Sequence, residues 1–265
     1  NFVNDNGQDY VAWCWKAGGN SNTFNVDGTG YATASAAGIT DGSISLTGAS
    51  VNTETGFSIV SWTGNNTAGA SVAHGLGKEP SMIILKSKGP TARSWGVYHK
   101  SIGNTGLVYL DLNNATNTAT FHWNDTSPTS SVFTLGSGSV TGSAEDYIGY
   151  CWSEIPGFSK FGSYIGNADS NGSFVWCGFK PAFVLIKKTT DSDNWAIKSN
   201  HISTNPNDYT ILPDLPNAEY GPNNTVIDFV SNGFKMRTTS GVVNGDETYV
   251  FAAFAESPLQ TANAK

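Results

Sequence analysis

The residues able to do chemistry are few. Four histidines stand at 74, 99, 122 and 201, none in an H-x-x-H or H-E-x-x-H spacing that would bring two imidazoles to one metal. No serine lies in a sequence context for a nucleophile held by a base that a third group orients. Two carboxylates, Glu154 and Glu256, each precede a proline by two residues (Pro156, Pro258). Paired carboxylates hydrolyse glycosidic bonds. These two, however, occupy matching places in a sequence that repeats itself, and a single active site needs no duplicate, so a structural role at a domain junction is expected. Asn167-Ala-Asp169-Ser-Asn171-Gly172 and Asp191-Ser-Asp193 gather oxygens as calcium loops do, but lack the terminal Glu of an EF-hand and read better as Asx turns. No catalytic residue, metal ligand or cofactor is assigned.

One segment offers a binding chemistry. His122-Trp123-Asn124-Asp125-Thr126 sets an aromatic face beside an amide and a carboxylate. An indole can stack on the C–H face of a sugar while Asn and Asp take its hydroxyls, which makes Trp123, Asn124 and Asp125 the candidate glycan-binding residues. The same residues also suit a turn anchored by a buried Trp, with Asn and Asp bonding their own backbone. Residues 199–224, dense in Asn and Pro, are expected to form a long irregular loop and a second contact surface.

These side chains must be carried by β structure. Trp, Tyr and Phe make up 12% of the chain and there are 30 Gly, which suits pleated surfaces joined by tight turns. No segment has a helical period with caps. Only 13% of the residues are charged, about half the usual share, so Ser, Thr, Asn and Gly must cover the surface. With 14 basic against 21 acidic residues and a net charge of −7, no Lys/Arg patch is available for a nucleic-acid backbone or an anionic membrane surface. No apolar run approaches the roughly 20 residues of a membrane span.

The elements come in two copies. Gly56-Phe57-Ser58 returns as Gly157-Phe158-Ser159, an offset of 101 residues. Pro80-Ser-Met-Ile-Ile-Leu-Lys86 returns as Pro181-Ala-Phe-Val-Leu-Ile-Lys187, Trp95 as Trp195, and Tyr147-Ile-Gly-Tyr-Cys-Trp-Ser-Glu154 as Tyr249-Val-Phe-Ala-Ala-Phe-Ala-Glu256. A period this long indicates a duplicated domain rather than a solenoid. Strands are expected at 57–63, 81–86, 95–99, 107–112, 120–123, 132–135 and 147–152, and again at 159–164, 174–177, 182–187, 195–198, 225–230, 233–237 and 249–255. Seven short strands per copy, with Gly, Asn or Pro between them, predict an all-β protein of tandem, jelly-roll-like β-sandwiches. The strands after Pro80 and Pro181 are apolar on both faces, so each should be central, with one face on the opposite sheet and the other on a neighbouring repeat or loop.

The expected domains are residues 56–155 and 156–265, preceded by a Ser/Thr/Gly-rich linker with short strands at 20–55. Residues 1–19 match the last strand of a repeat, since Tyr10-Val-Ala-Trp-Cys-Trp15 parallels residues 147–152, and are expected to be the end of a truncated or diverged preceding copy. Cys14 and Cys151 share a repeat position and are expected to be buried thiols; Cys177 takes the place of Leu76 in a core site. A chain with so little sulfur and no disulfide framework fits synthesis in a reducing cytoplasm.

Taken together, Tyr10-Val-Ala-Trp-Cys-Trp-Lys-Ala-Gly-Gly19, Gly56-Phe-Ser-Ile-Val60, His74-Gly-Leu-Gly-x-x-Pro80, Trp123-Asn-Asp-Thr126, Gly157-Phe-Ser-Lys-Phe-Gly-Ser-Tyr164 and Ala253-Phe-Ala-Glu256 resemble repeated domains in tail-fibre and other virion-surface proteins of tailed bacteriophages, especially marine ones. The resemblance covers nearly all of residues 10–257. It implies a non-enzymatic subunit of a fibre or spike, synthesised in the host cytoplasm and working at the virion surface. Its implied partners are other virion proteins, further copies of itself (such fibres commonly trimerise) and a bacterial surface glycan, with no nucleic acid and no membrane insertion. The alternatives are a head or tail decoration protein that binds only virion partners, a secreted bacterial lectin or adhesin module, and a glycan-degrading enzyme.

Overall fold

The computed structural model describes residues 6, 7, 9–142, 144–222 and 224–257. In chain order the strands are β1 (Phe24–Val26), β2 (Thr29–Tyr31), β3 (Leu46–Asn52), β4 (Phe57–Thr63), β5 (Ser71–Ala73), β6 (Met82–Ser87), β7 (Gly96–His99), β8 (Gly106–Tyr109), β9 (Asn117–Thr118), β10 (Val132–Thr134), β11 (Asp146–Trp152), β12 (Ser159–Ile165), β13 (Phe174–Trp176), β14 (Pro181–Lys188), β15 (Ala196–Ser199), β16 (Ile227–Val230), β17 (Gly233–Met236) and β18 (Thr248–Ala255). A single helical turn, α1 (Gly241–Asn244), lies between β17 and β18. The protein is all-β. Among the described residues no helix is long and apolar enough to cross a membrane.

Two units share one strand order. In the first, β4-β11-β6-β7 run side by side; in the second, β12-β18-β14-β15 do, and every pairing is antiparallel. Each four-strand block is faced by a smaller sheet, β10-β5 in unit 1 and β13-β17-β16 in unit 2. The cores match ring for ring. Trp62 stacks on Tyr147 at 5.4 Å and meets Phe133 edge-on; Tyr164 stacks on Tyr249 at 5.0 Å and meets Phe234 edge-on. The Gly-Phe-Ser motif marks the entry to each block because Gly56 (φ 67°) and Gly157 (φ 76°) both take left-handed backbone. A Cβ on Gly56 would stand 2.6 Å from the Ser153 carbonyl oxygen.

The two large sheets pack back to back, so each double-faced apolar strand fills two cores. Ile83 and Leu85 of β6 enter the first sandwich, and Val184 and Ile186 of β14 the second. Met82, Ile84, Phe183 and Leu185 point the other way, into a third core between the units that also holds Phe57, Trp152, Trp195 and Phe254. His99 is buried there. Its Nε2 donates to the Phe251 carbonyl at 3.1 Å and its Nδ1 accepts from the Ser101 N–H, and desolvation lowers its pKa to about 4. Glu154 ties the units at the rim, accepting from Lys100 at 2.6 Å and Lys160 at 2.7 Å, which is the junction role its repeat position suggested.

Several expectations are corrected. Residues 20–55 are more than a linker: β3 pairs along β4, β1 adds in parallel beside β3, and Ile39, Ile44, Ala49 and Val51 enter the first core. Residues 120–123 form a turn, not a strand, because the Asn124 N–H closes on the Thr120 carbonyl at 2.9 Å. Within the expected terminal strand at 1–19, residues 1–5 and 8 lie outside the described residues and 9–19 pair with no strand; Cys14 is exposed rather than buried. Residues 258–265 likewise lie outside the described residues.

Candidate functional site

The predicted glycan site comes apart. The Trp123 ring lies in the first core, edge-on to Tyr98 at 5.5 Å, and its Nε1–H donates to the Gly106 carbonyl at 2.9 Å. No face of the indole is open to a sugar. Asn124 and Asp125 are exposed beside it in left-handed backbone (φ 53° and 48°), as a tight turn demands. The sequence admitted both readings, and burial of the ring selects the turn.

Residues 199–224 also differ from a free loop. Residues 200–222 fold down over β15, bridging Ile211 to Ile197 and Asn207 to Ile227, and they cover Lys198. The Lys198 ammonium is buried on three neutral acceptors, the Tyr209 carbonyl at 2.7 Å, Thr210 Oγ1 at 2.9 Å and Thr225 Oγ1 at 3.3 Å. Desolvation lowers its pKa to about 7, with Asp208 opposing. The oxygen-rich loop at 167–172 is spent internally too. Asn167 and Asp169 cap the N–H groups two residues on, and the buried Asn244 amide donates to Asn167 Oδ1 and to the Asp169 and Thr238 carbonyls.

A concave feature with aromatic walls lies where the units meet. Residues 12–16 cross the rim of the inter-unit core as an extended strap whose alternation survives without a ladder: Trp13 and Trp15 turn inward, Ala12, Cys14 and Lys16 outward. Trp15 meets Trp152, Phe183 and Phe254 edge-on at 5.2 to 6.0 Å, and Trp13 Nε1 donates to Ser199 Oγ at 3.2 Å. Below the strap the anchor is polar: Thr55 Oγ1 donates to the Lys16 carbonyl at 3.1 Å and the Gly18 N–H to Ser50 Oγ at 2.9 Å. The result is a cleft of about 420 Å³ walled by Trp13, Trp15, Phe158, Phe183 and Phe254, with Lys16, Thr55 and His201 among its lining. Aromatic walls with a few polar groups describe a small-ligand site. Flat rings offer stacking surface, while the ammonium, hydroxyl and imidazole can reach hydroxyl or carboxylate groups. The sequence signalled the strap through its alternating Trp residues but held no sign of the opposite wall, whose rings stand more than a hundred positions away.

The family model that matches spans residues 1–258, both units and the segment before them. The chain belongs to this family, a domain of unknown function, DUF7483. No curated protein and no solved structure matches it. The DUF7483 match thus includes the strap and the 20–55 segment along with the two sandwiches.

Proposed function

We propose that this DUF7483 protein is a virion-surface structural subunit of a tailed bacteriophage, part of a fibre or spike, which contributes to host attachment by binding a bacterial surface glycan without chemistry. The observation that carries the reading is the strap. Residues 12–16, in the longest motif of the phage resemblance, wall an aromatic cleft with polar groups at its rim. The sparsely charged, Ser/Thr/Asn-covered surface supports it as well, since little of its solvation depends on charge that salt would screen. The cleft replaces Trp123, Asn124 and Asp125 as the place of contact.

The test is binding of host surface polysaccharide, followed by calorimetry, to the wild type and to a Lys16→Ala/His201→Ala double variant. Both side chains are exposed, so the fold should survive. A loss of affinity of tenfold or more is expected. Equal affinity in the two proteins moves the site elsewhere, and absence of binding by the wild type favours a decoration protein that contacts only virion partners.

A further inference from the structure

We propose that the bare side of the second sandwich, formed by β12 and β13, is a two-fold interface at which a second copy of this chain joins β12 to β12 in one continuous sheet. This is independent of the glycan reading and comes from comparing matched edges. In unit 1 the side is closed by the chain itself. β3 lies antiparallel along β4, with Gly48 opposite Ser61 and Ala49 opposite Val60, and the Ile44 N–H bonds the Ser71 carbonyl of β5 at 3.0 Å. The cover is tight: a Cβ on Gly75 would come within 2.9 Å of Val51 and 3.1 Å of Ile39.

In unit 2, among the described residues, no strand pairs with the outer side of β12 or β13. Phe174 and Trp176, which flank the Val175 that faces Phe234, stand where unit 1 has Ser71 and Ala73 flanking the Val72 that faces Phe133. Trp176 is 58% exposed, Phe174 47% and Ile165 67%, three of the eight large apolar side chains left exposed in the described residues. Phe174 and Trp176 flank the buried Val175 and so share the outer face of β13, a paired exposure of the kind that marks an interface rather than scattered exposure.

The backbone of β12 is prepared for a partner. Bonds from the Ala255 N–H to the Phe158 carbonyl and from the Gly166 N–H to the Glu247 carbonyl, each 2.9 Å, turn the even-numbered residues toward β18. Phe161, Ser163 and Ile165 therefore direct their N–H and C=O groups outward. Glu154 accepts from the Phe161 N–H at 3.2 Å and Ser173 donates to the Ile165 carbonyl at 2.7 Å, which pins both ends. Ser163, between them, presents both groups to solvent. Lys160, the cation that would guard such an edge, is drawn aside to Glu154 and to the Trp176 ring, 5.6 Å from its centroid. An edge whose central residue has both its donor and its acceptor free is self-complementary. Ser163 can face Ser163 of the second copy and exchange both bonds, with Ile165 opposite Phe161, the isologous pattern of a two-fold dimer. The matched edge in unit 1 shows that a strand is the occupant this geometry accepts.

Sedimentation velocity on the full chain tests it. The wild type is expected at twice the 28.0 kDa chain mass at tens of micromolar, and a Ser163→Pro/Ile165→Lys variant at the single-chain mass. The proline removes an N–H that the β18 ladder does not use, so far-UV circular dichroism and melting should be unchanged. Leu112→Lys, at an exposed site away from this edge, should leave the dimer intact. Should the edge variant misfold, hydrogen exchange at the wild-type Ser163 amide decides: slowing tenfold or more with rising concentration supports the interface. A monomeric or trimeric wild type, a dimer that survives the edge substitutions, or Ser163 exchange independent of concentration overturns it.

Discussion

The two sandwiches are built alike and finished differently. Each stacks one ring pair in its core, and each holds the hairpin after its double-faced strand with a lysine. Lys86 donates to the Arg93 carbonyl and Lys187 to the Asp193 carbonyl. In each, the following Trp N–H is capped by a carboxylate from a later segment, Asp111 for Trp95 and Asp214 for Trp195. The differences fall on what each unit packs against. Lys86 keeps a half-exposed ammonium beside the Trp95 ring, whereas Lys187 is buried, reaches across to the Asn113 carbonyl of unit 1, and has its pKa lowered by desolvation to about 8. Where unit 1 sets Tyr98 against Trp123, unit 2 sets Lys198 beneath Tyr209 and Thr210. A framework of this kind tolerates exchange at positions facing variable cover and keeps the rings that face its own second sheet.

The largest expected effect breaks unit 1 at its anchor. Trp123→Ala removes a buried indole and should cost about 3–5 kcal/mol, read as a shift in the urea midpoint. Polysaccharide binding by the folded fraction should be unchanged, since the ring touches no open surface. A variant that keeps full stability but loses binding would restore Trp123 to the site.

Lys198 sharpens the contrast in the second unit. Its folded pKa, about 7, lies below the ordinary lysine value near 10.4. Between these values the unfolded chain binds more protons, so stability rises with pH from about 7 to about 10, and below 7 the penalty is constant. Lys198→Met should flatten that rise by up to one proton, at most about 1.4 kcal/mol per pH unit, in urea titrations at fixed pH values. An unchanged slope would mean that the ammonium is not desolvated. His99 acts in a lower window: with its folded pKa near 4, below the ordinary 6.5, its contribution is lost as pH falls from about 6.5 to 4.

A smaller effect separates the matched glutamates. Glu154→Gln weakens two ion pairs that join the units, at about 1 kcal/mol, while Glu256→Gln, whose partners Lys180 and Asn200 lie in unit 2, should cost less. Equal losses on thermal melting would deny Glu154 its bridging role. The smallest perturbation is chemical. A thiol reagent should modify Cys14 in the native protein and reach Cys151 and Cys177 only on unfolding, because burial pushes both of those thiols up to about 12.

Much of the framework is legible in the amino-acid sequence. The alternation in 57–63 and 159–164, and the double-faced runs after Pro80 and Pro181, are strand signals whose period survives folding, and the matched motifs equate β4, β6 and β11 with β12, β14 and β18, whereas β5 at Ser71–Ala73 is not among the expected strands. Local chemistry misleads where burial decides. Trp123 with Asn124 and Asp125 has the same composition whether the ring faces water or a core. Cys14 shares its motif position with Cys151, yet a strap without a ladder leaves it exposed. The 20–55 segment looks too small-sided for a core, but Ile39, Ile44, Leu46 and Val51 suffice when spread along one face.

The sequence by itself determined an all-β chain of two like blocks, its core periodicities, its low charge and the turns that glycine and asparagine dictate, because these follow from side-chain period and backbone sterics over a few residues. Only the tertiary structure decided that the blocks pack back to back, that Trp13 and Trp15 wall a cleft between them, and that among the described residues no strand pairs with the outer side of β12 where β3 covers β4. Those outcomes depend on which distant surface each face meets, and apolar faces of equal period carry no local mark of their partner.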